Sequence, residues 1–311
     1  MANPPDGYFC GSLERPQAYI PARSFPAKLR EVAVLYKLRL ASLVVVSAVL
    51  GYLMGVPVGG FSGMDLFLLA VGGTLLTGAS NALNQVLEIR EDSLMERTAE
   101  RPLVRGSLSR SEALLAAFIG GGAGTFILWT VFGPLTGVLG FISLFMYVAL
   151  YTPLKKRSPW AVFVGAFPGA FPPMLGYVAA TSQFGLGPGL LFAMQFMWQF
   201  PHFWAIAWVL DEDYARGGFR LLPSPGGRDA RSAFLILLYT LFVIPVGMLP
   251  WVFGQVGPIA MIISVVCGVV MLVPALKLYR SRDRKDARTL MFSSFLYLPV
   301  VQLAYVLDRT F

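Results

Sequence analysis

The stretch LFLLAVGGTLLTGASNALNQVLEIREDSLMERTAERPL, residues 66–103, decides how this chain is to be read. Its first part, 66–87, holds no Asp, Glu, Lys or Arg and is long enough to cross roughly 30 Å of hydrocarbon as a helix. The remainder is dense in acids and arginines. Working outward, comparable apolar runs lie at 38–58, 111–133, 135–152, 161–181, 189–210, 232–253, 257–276 and 289–307. The pair 111–133 and 135–152 is separated only by the Gly133-Pro134 break. With 56% hydrophobic and 14% charged residues in 311, the expected class is an all-α membrane protein, a bundle of nine transmembrane helices. Residues 31–311 are expected to form one membrane domain after a flexible cytoplasmic tail, 1–30. The stretch Phe25 to Lys37 can form a short amphipathic helix on the membrane surface.

The formal charge is +8, but its placement excludes a nucleic-acid footprint. Twenty-four of the 25 Lys and Arg flank alternate turns, Arg309 being the exception, and the intervening turns carry none. That is the positive-inside pattern, which puts the amino terminus in the cytoplasm and Phe311 outside. Residues 1–30 have no apolar core, so no cleavable signal peptide is expected. Cys10 and Cys267 fall where they cannot easily meet, and no disulfide or cysteine metal site follows.

Chemistry gathers where span two ends. On a continuing helix Asn84, Glu88 and Asp92 share one face at four-residue spacing, with Glu96 next in the stripe. Arg97 and Arg101 form a like-charged pair four apart. Like charges at that spacing are mildly unfavourable on a solvated helix, so the carboxylates look prepared for a cation and the arginines for an anion. Mg²⁺ suits the first, since it takes few carboxylates and fills its octahedron with water and phosphate oxygens. Guanidinium suits phosphate by bidentate hydrogen bonding. Asn81 and Gln85 carry polarity into the span, where it needs a partner.

A second acidic cluster, Asp211, Glu212, Asp213 and Tyr214, follows span six and echoes the first. Three adjacent acids cannot all point one way, so one or two can face a shared metal. Gly217-Gly218 would let the next loop fold over a ligand. Within span six, Gln195, Gln199 and His202 form a polar stripe on an aromatic helix. His202, the only histidine, could ligate a metal, shuttle a proton or hydrogen-bond across helices. Span five carries Pro168, Pro172 and Pro173 with Gly165, Gly169 and Gly176. That fits either a broken helix whose freed carbonyls are satisfied by neighbours or a cavity, or close helix packing through small residues. The turn before it sets Tyr151 and Lys155 at the same mouth.

The spacing Asn84-x-x-x-Glu88-x-x-x-Asp92 resembles the diphosphate motif of the UbiA superfamily of intramembrane prenyltransferases. LMERTAERPL, YTPLKKRSP, GAFPPMLGY, WQFPHFWAIAW and DEDYARGGFRLLP are similar to successive signatures of its heme O synthase (protoheme IX farnesyltransferase) branch, from about Leu35 to the carboxyl terminus. Two positions depart: Glu88 stands where Asp is commoner, and Gly217 where a second acid would follow Asp213. The resemblance implies a central cavity capped on the cytoplasmic side, in an inner (plasma) membrane protein. It implies farnesyl diphosphate and Mg²⁺ held by Asn84, Glu88, Asp92 and Asp213, with Glu88, Asp92 and Asp213 as metal ligands. Heme B would be the acceptor through a vinyl group, giving heme O. Arg97, Arg101, Lys155 and Arg216 would contact diphosphate or propionates; Tyr151, Gln199 and Tyr214 would line the substrate, and His202 would lie near the porphyrin. Heme A synthase or terminal oxidase assembly factors are the implied partners. The rival expectations are an aromatic quinone precursor or a chlorophyll-like ring as acceptor and, in another class, a transporter with its polar residues at the membrane midplane.

Overall fold

The structure is a computed structural model that describes residues 24–310. Cys10, residues 1–23 of the expected tail, and Phe311 lie outside the described residues. In chain order the helices are α1 (Phe25–Leu35), α2 (Leu38–Gly55), α3 (Gly63–Leu87), α4 (Ile89–Leu94), α5 (Pro102–Arg105), α6 (Arg110–Phe132) and α7 (Pro134–Phe145). A π-helical turn, Met146–Tyr151, joins α7 to α8 (Thr152–Leu154). Then come α9 (Ala161–Thr181), α10 (Leu186–Val209), α11 (Asp211–Arg216), α12 (Ala230–Val252), α13 (Pro258–Ser281) and α14 (Arg284–Leu307). The described residues form no strand beyond one isolated bridge, Val256 to Arg309.

Eight of these helices are long and apolar enough to span a bilayer, the α7 to α8 run counted as one. The expected span at 189–210 coincides with α10, which is not among the eight. Its 24 residues carry no charge, but Gln195, Gln199, His202 and three tryptophans dilute its apolarity. That is tolerable because most of α10 is buried against α9, α12 and α14. The long helices contact one another in sequence order, and α14 closes the ring onto α2. Gly133 makes the sharp α6–α7 corner at φ 91°, a left-handed value that glycine adopts without penalty.

Hydrocarbon supplies no hydrogen-bond partners, so the proline breaks must be repaired from within the protein. Pro173 frees the Gly169 carbonyl, and Gln195 Nε2 donates to it at 2.7 Å. Pro172 frees that of Pro168, which accepts from Ser143 Oγ at 3.3 Å. Gln195 Oε1 in turn accepts from Ser47 Oγ at 2.8 Å and Gln302 Nε2 at 2.7 Å, so one buried amide ties α2, α9, α10 and α14. Of the two readings of span five the close packing is seen: α9 continues as one helix through its prolines, and a Cβ on Gly176 would overlap the Ala48 carbonyl oxygen of α2. α1 lies outside the ring with Phe25 and Leu29 exposed and Leu35 buried, as expected of a surface helix.

Gly176→Ala should therefore force α2 from α9 and cost on the order of 1–3 kcal/mol, read as a lowered Tm in detergent. Gly122→Ala, where a Cβ meets nothing within 4 Å, is the matched control and should not lower it.

Candidate active site

The helix expected to continue from span two through Asp92 breaks instead at Glu88, whose φ of −118° and ψ of 18° separate α3 from α4. The break keeps both acids inside: Glu88 is 2% and Asp92 1% exposed. Glu96 does not continue the stripe, because α4 has already ended and its side chain is solvent-exposed.

Glu88 and Asp92 look into a cavity of about 120 Å³ at this end of the bundle. Its wall also includes Lys37, Asn84, Arg97, Arg101, Tyr147, Tyr151 and Lys155, with Tyr214, Phe219 and Leu221 from beyond α10. Asn84 Nδ2 donates to Glu88 Oε2 at 2.9 Å and to Thr152 Oγ1 at 3.2 Å. Lys155 Nζ donates to Glu88 Oε2 at 2.8 Å, and Arg101 is paired with Asp92. Lys155 also stands 5.0 Å over the Tyr151 ring and 5.2 Å over Phe219. Burial of two carboxylates is tolerable only with such partners. The set is still incomplete: Asp92 Oδ1 accepts no hydrogen bond, nor does Glu88 Oε1, although Lys155 Nζ is 2.8 Å from it.

The rim joins the two acidic clusters. Glu96 N donates to Asp213 Oδ1 at 2.8 Å, Arg216 pairs with Glu96, and Arg97 lies 5.1 Å over the Tyr214 ring. Of the three adjacent acids only Asp213 turns this way; Asp211 and Glu212 engage Arg228 at 3.5 and 3.0 Å. Where a further acid would follow, a Cβ on Gly217 would press on Met95 Sδ at 3.0 Å. Among the described residues no three acid, histidine or cysteine side chains form a ready metal cluster. Two carboxylates that each keep an oxygen without a hydrogen bond nevertheless fit Mg²⁺, which commonly takes one or two and completes its shell with water and phosphate.

Gln199 and His202 do not line this cavity. Gln199 Nε2 donates to the Ala166 carbonyl at 2.9 Å, and His202 stacks on Trp198 and meets Ser294 Oγ through Nδ1 at 2.8 Å. Asn81 and Gln85 also point elsewhere: they donate to the Tyr36 and Leu35 carbonyls at 3.2 and 2.6 Å. Besides the apolar Met95, Phe219 and Leu221, two polar cavity residues escaped the sequence. Tyr147 is carried in by the π-helical turn, 5.2 Å from the Tyr151 ring, and its four-residue spacing from Tyr151 was the available signal. Lys37, between α1 and α2, looked like one more topology charge. Burial, and then the neighbouring Arg101 and Lys155, hold its ammonium down to about 7.

Comparison with known proteins fits this geometry. The model of the UbiA prenyltransferase family matches residues 40–298. The chain belongs to the UbiA prenyltransferase family. It is 46% identical over 278 residues to a protoheme IX farnesyltransferase of Cytophaga hutchinsonii, covering 89% of this chain and 96% of that one. Among solved structures of the fold, digeranylgeranylglyceryl phosphate synthase superposes with a TM-score of 0.75 at 16% identity, over 90% of this chain and 98% of the other. A UbiA homologue from Archaeoglobus fulgidus bound to GPP and Mg²⁺ gives 0.63 at 12% identity, over 89% and 99%. This UbiA-family member is thus an integral membrane transferase whose acids, basic residues and tyrosines meet at one end of the bundle.

If the Arg101–Asp92 pair balances a buried charge, Arg101→Met alone should cost about 3–5 kcal/mol of stability. Combined with Asp92→Leu it should recover most of that, and equal Tm losses in the single and double variants would exclude the pair as the cause.

Proposed function

We propose that the protein transfers the farnesyl group of farnesyl diphosphate to a vinyl group of heme B, giving heme O. The observation that carries this reading is the pair of buried carboxylates, each with an oxygen that accepts no hydrogen bond, facing a basic wall at the mouth of an apolar bundle. The name borne by the Cytophaga relative supports the substrates, and the Archaeoglobus homologue with GPP and Mg²⁺ supports the ligand class. Asn84, Glu88 and Asp92 on the cavity wall and Asp213 at the rim would form the metal and diphosphate end, with the three carboxylates as the residues that would hold Mg²⁺. When bound, Mg²⁺ supplies charge neutralisation to the departing pyrophosphate.

The chain's own groups do the rest. Arg97, Arg101, Lys155 and Arg216 take the diphosphate oxygens, so Arg101 and Lys155 exchange their carboxylate partners for phosphate. The C1–O bond breaks, pyrophosphate leaves with the electron pair, and an allylic cation remains. Tyr147 and Tyr151 present aromatic faces that favour a cation, Tyr214 closes the rim, and Phe219 and Leu221 exclude water. The vinyl carbon attacks C1, and the resulting cation takes up water and releases a proton, leaving the hydroxyethylfarnesyl group. Gln199 and His202 serve as the frame of α10 in this reading, since their contacts are spent within the bundle. Residues 31–311 act as one unit with nine crossings in the cell's inner membrane. The basic turns at this end support a cytoplasmic amino terminus and a site open to the cytoplasm. The product would pass to heme A synthase or oxidase assembly.

Purified protein supplied with labelled farnesyl diphosphate and Mg²⁺ should prenylate heme B and not 4-hydroxybenzoate. Asp92→Asn should lower turnover by about 100-fold or more while the protein remains folded. Label on 4-hydroxybenzoate alone, or full activity in the variant, would overturn the reading.

A further inference from the structure

The turn that carries Lys37 is built with more care than a topology signal requires. Lys37 sits at φ 50° and ψ 54°, a left-handed conformation that non-glycine residues seldom adopt and that tends to persist where surrounding structure enforces it. The enforcement is visible. Gln85 and Asn81, two buried amides of α3, hold the carbonyls of Leu35 and Tyr36, the two residues just before it. The Tyr36 hydroxyl donates to the Ala116 carbonyl at 2.6 Å. Its ring fills a slot that a Cβ on Gly78 would obstruct, and its hydroxyl one that a Cβ on Gly120 would obstruct. Three anchors on α3 and α6 thus fix the backbone from which the Lys37 side chain enters the cavity wall.

The other cations of that wall are already engaged: Arg101 with Asp92, Lys155 with Glu88, Arg97 over Tyr214. Among the described residues the Lys37 side chain has no hydrogen-bond or ion-pair partner within contact distance, although its field includes Asp92 and Glu88. The wall holds four basic side chains against two carboxylates, and an anion arriving there would favour the protonated form of Lys37.

We propose that Lys37 is a substrate-binding residue of this cavity, receiving an anionic oxygen group through its ammonium; the assignment rests on the prenyl-transfer reading of the site. Two groups share that chemistry, the diphosphate of the donor and the carboxylates of a porphyrin acceptor. Asn81 and Gln85 are positioning residues that act through the turn and touch no ligand. This gives the polarity of span two a purpose that its sequence alone concealed.

The full-length protein in detergent tests this with two variants. Lys37→Gly removes the ammonium while relieving the left-handed backbone, so its Tm should hold or rise. It should nevertheless lose about tenfold or more in affinity for one probe. Loss for inorganic pyrophosphate with Mg²⁺, by calorimetry, assigns the donor's diphosphate. Loss for ferric protoheme but not for its dimethyl ester, by absorbance titration, assigns the acceptor's carboxylates. Lys37→Arg should regain most of the affinity. Wild-type binding of both probes by Lys37→Gly, or an equal loss in Lys37→Arg, would overturn the assignment of Lys37 alone. If the unaltered protein binds neither probe, the prenyl-transfer reading falls and the assignment with it.

Discussion

Two carboxylates buried at the end of an apolar bundle are the constraint to which the surrounding structure answers. Taking each out of water costs several kcal/mol unless opposite charge and hydrogen bonds replace the lost hydration. Glu88 receives Lys155 and Asn84, and Asp92 receives Arg101, yet each keeps an oxygen with no hydrogen bond. A purely structural ion pair would be better served by full satisfaction or by apolar residues. Incomplete satisfaction has a use where another cation is to arrive. The break at Glu88 follows from the same demand, since it turns the chain so that both acids remain covered.

The cavity itself, about 120 Å³, is smaller than ligand pockets of roughly 300–1,000 Å³. Its closure rests on a few rim contacts: Glu96 with Arg216, the Glu96 amide on Asp213, and Arg97 over Tyr214. Glu96 and Arg216 are largely exposed, and exposed pairs contribute little, typically below about 1 kcal/mol. A rim fastened so weakly can part for a prenyl diphosphate at small cost, whereas the amide network of Gln195, Ser47 and Gln302 keeps the bundle beneath it rigid.

Much of this was legible in the sequence because membrane helices announce themselves through long apolar runs. The Gly133-Pro134 corner and the surface helix α1 were legible for similar local reasons. The acids and basic residues of the mouth were legible because charge is costly near hydrocarbon. What was not legible depended on distant partners. Gln199 and Gln195 form a stripe that points toward a neighbour, but only the fold shows that the neighbour is the proline-rich α9. Asn81 and Gln85 seemed to belong with Asn84, and instead grip a backbone turn some 45 to 50 residues earlier in the chain. Lys37 was hidden among charges that orientation alone explained. The helix break at Glu88 has no proline or glycine to mark it.

Anomalous diffraction from crystals grown with Mn²⁺ and pyrophosphate addresses the central claim most directly. A metal peak beside the Glu88 and Asp92 carboxylates, with Arg101 and Lys155 turned onto phosphate oxygens, is the expected result. Metal found only at exposed acids, with both buried pairs intact, would contradict it.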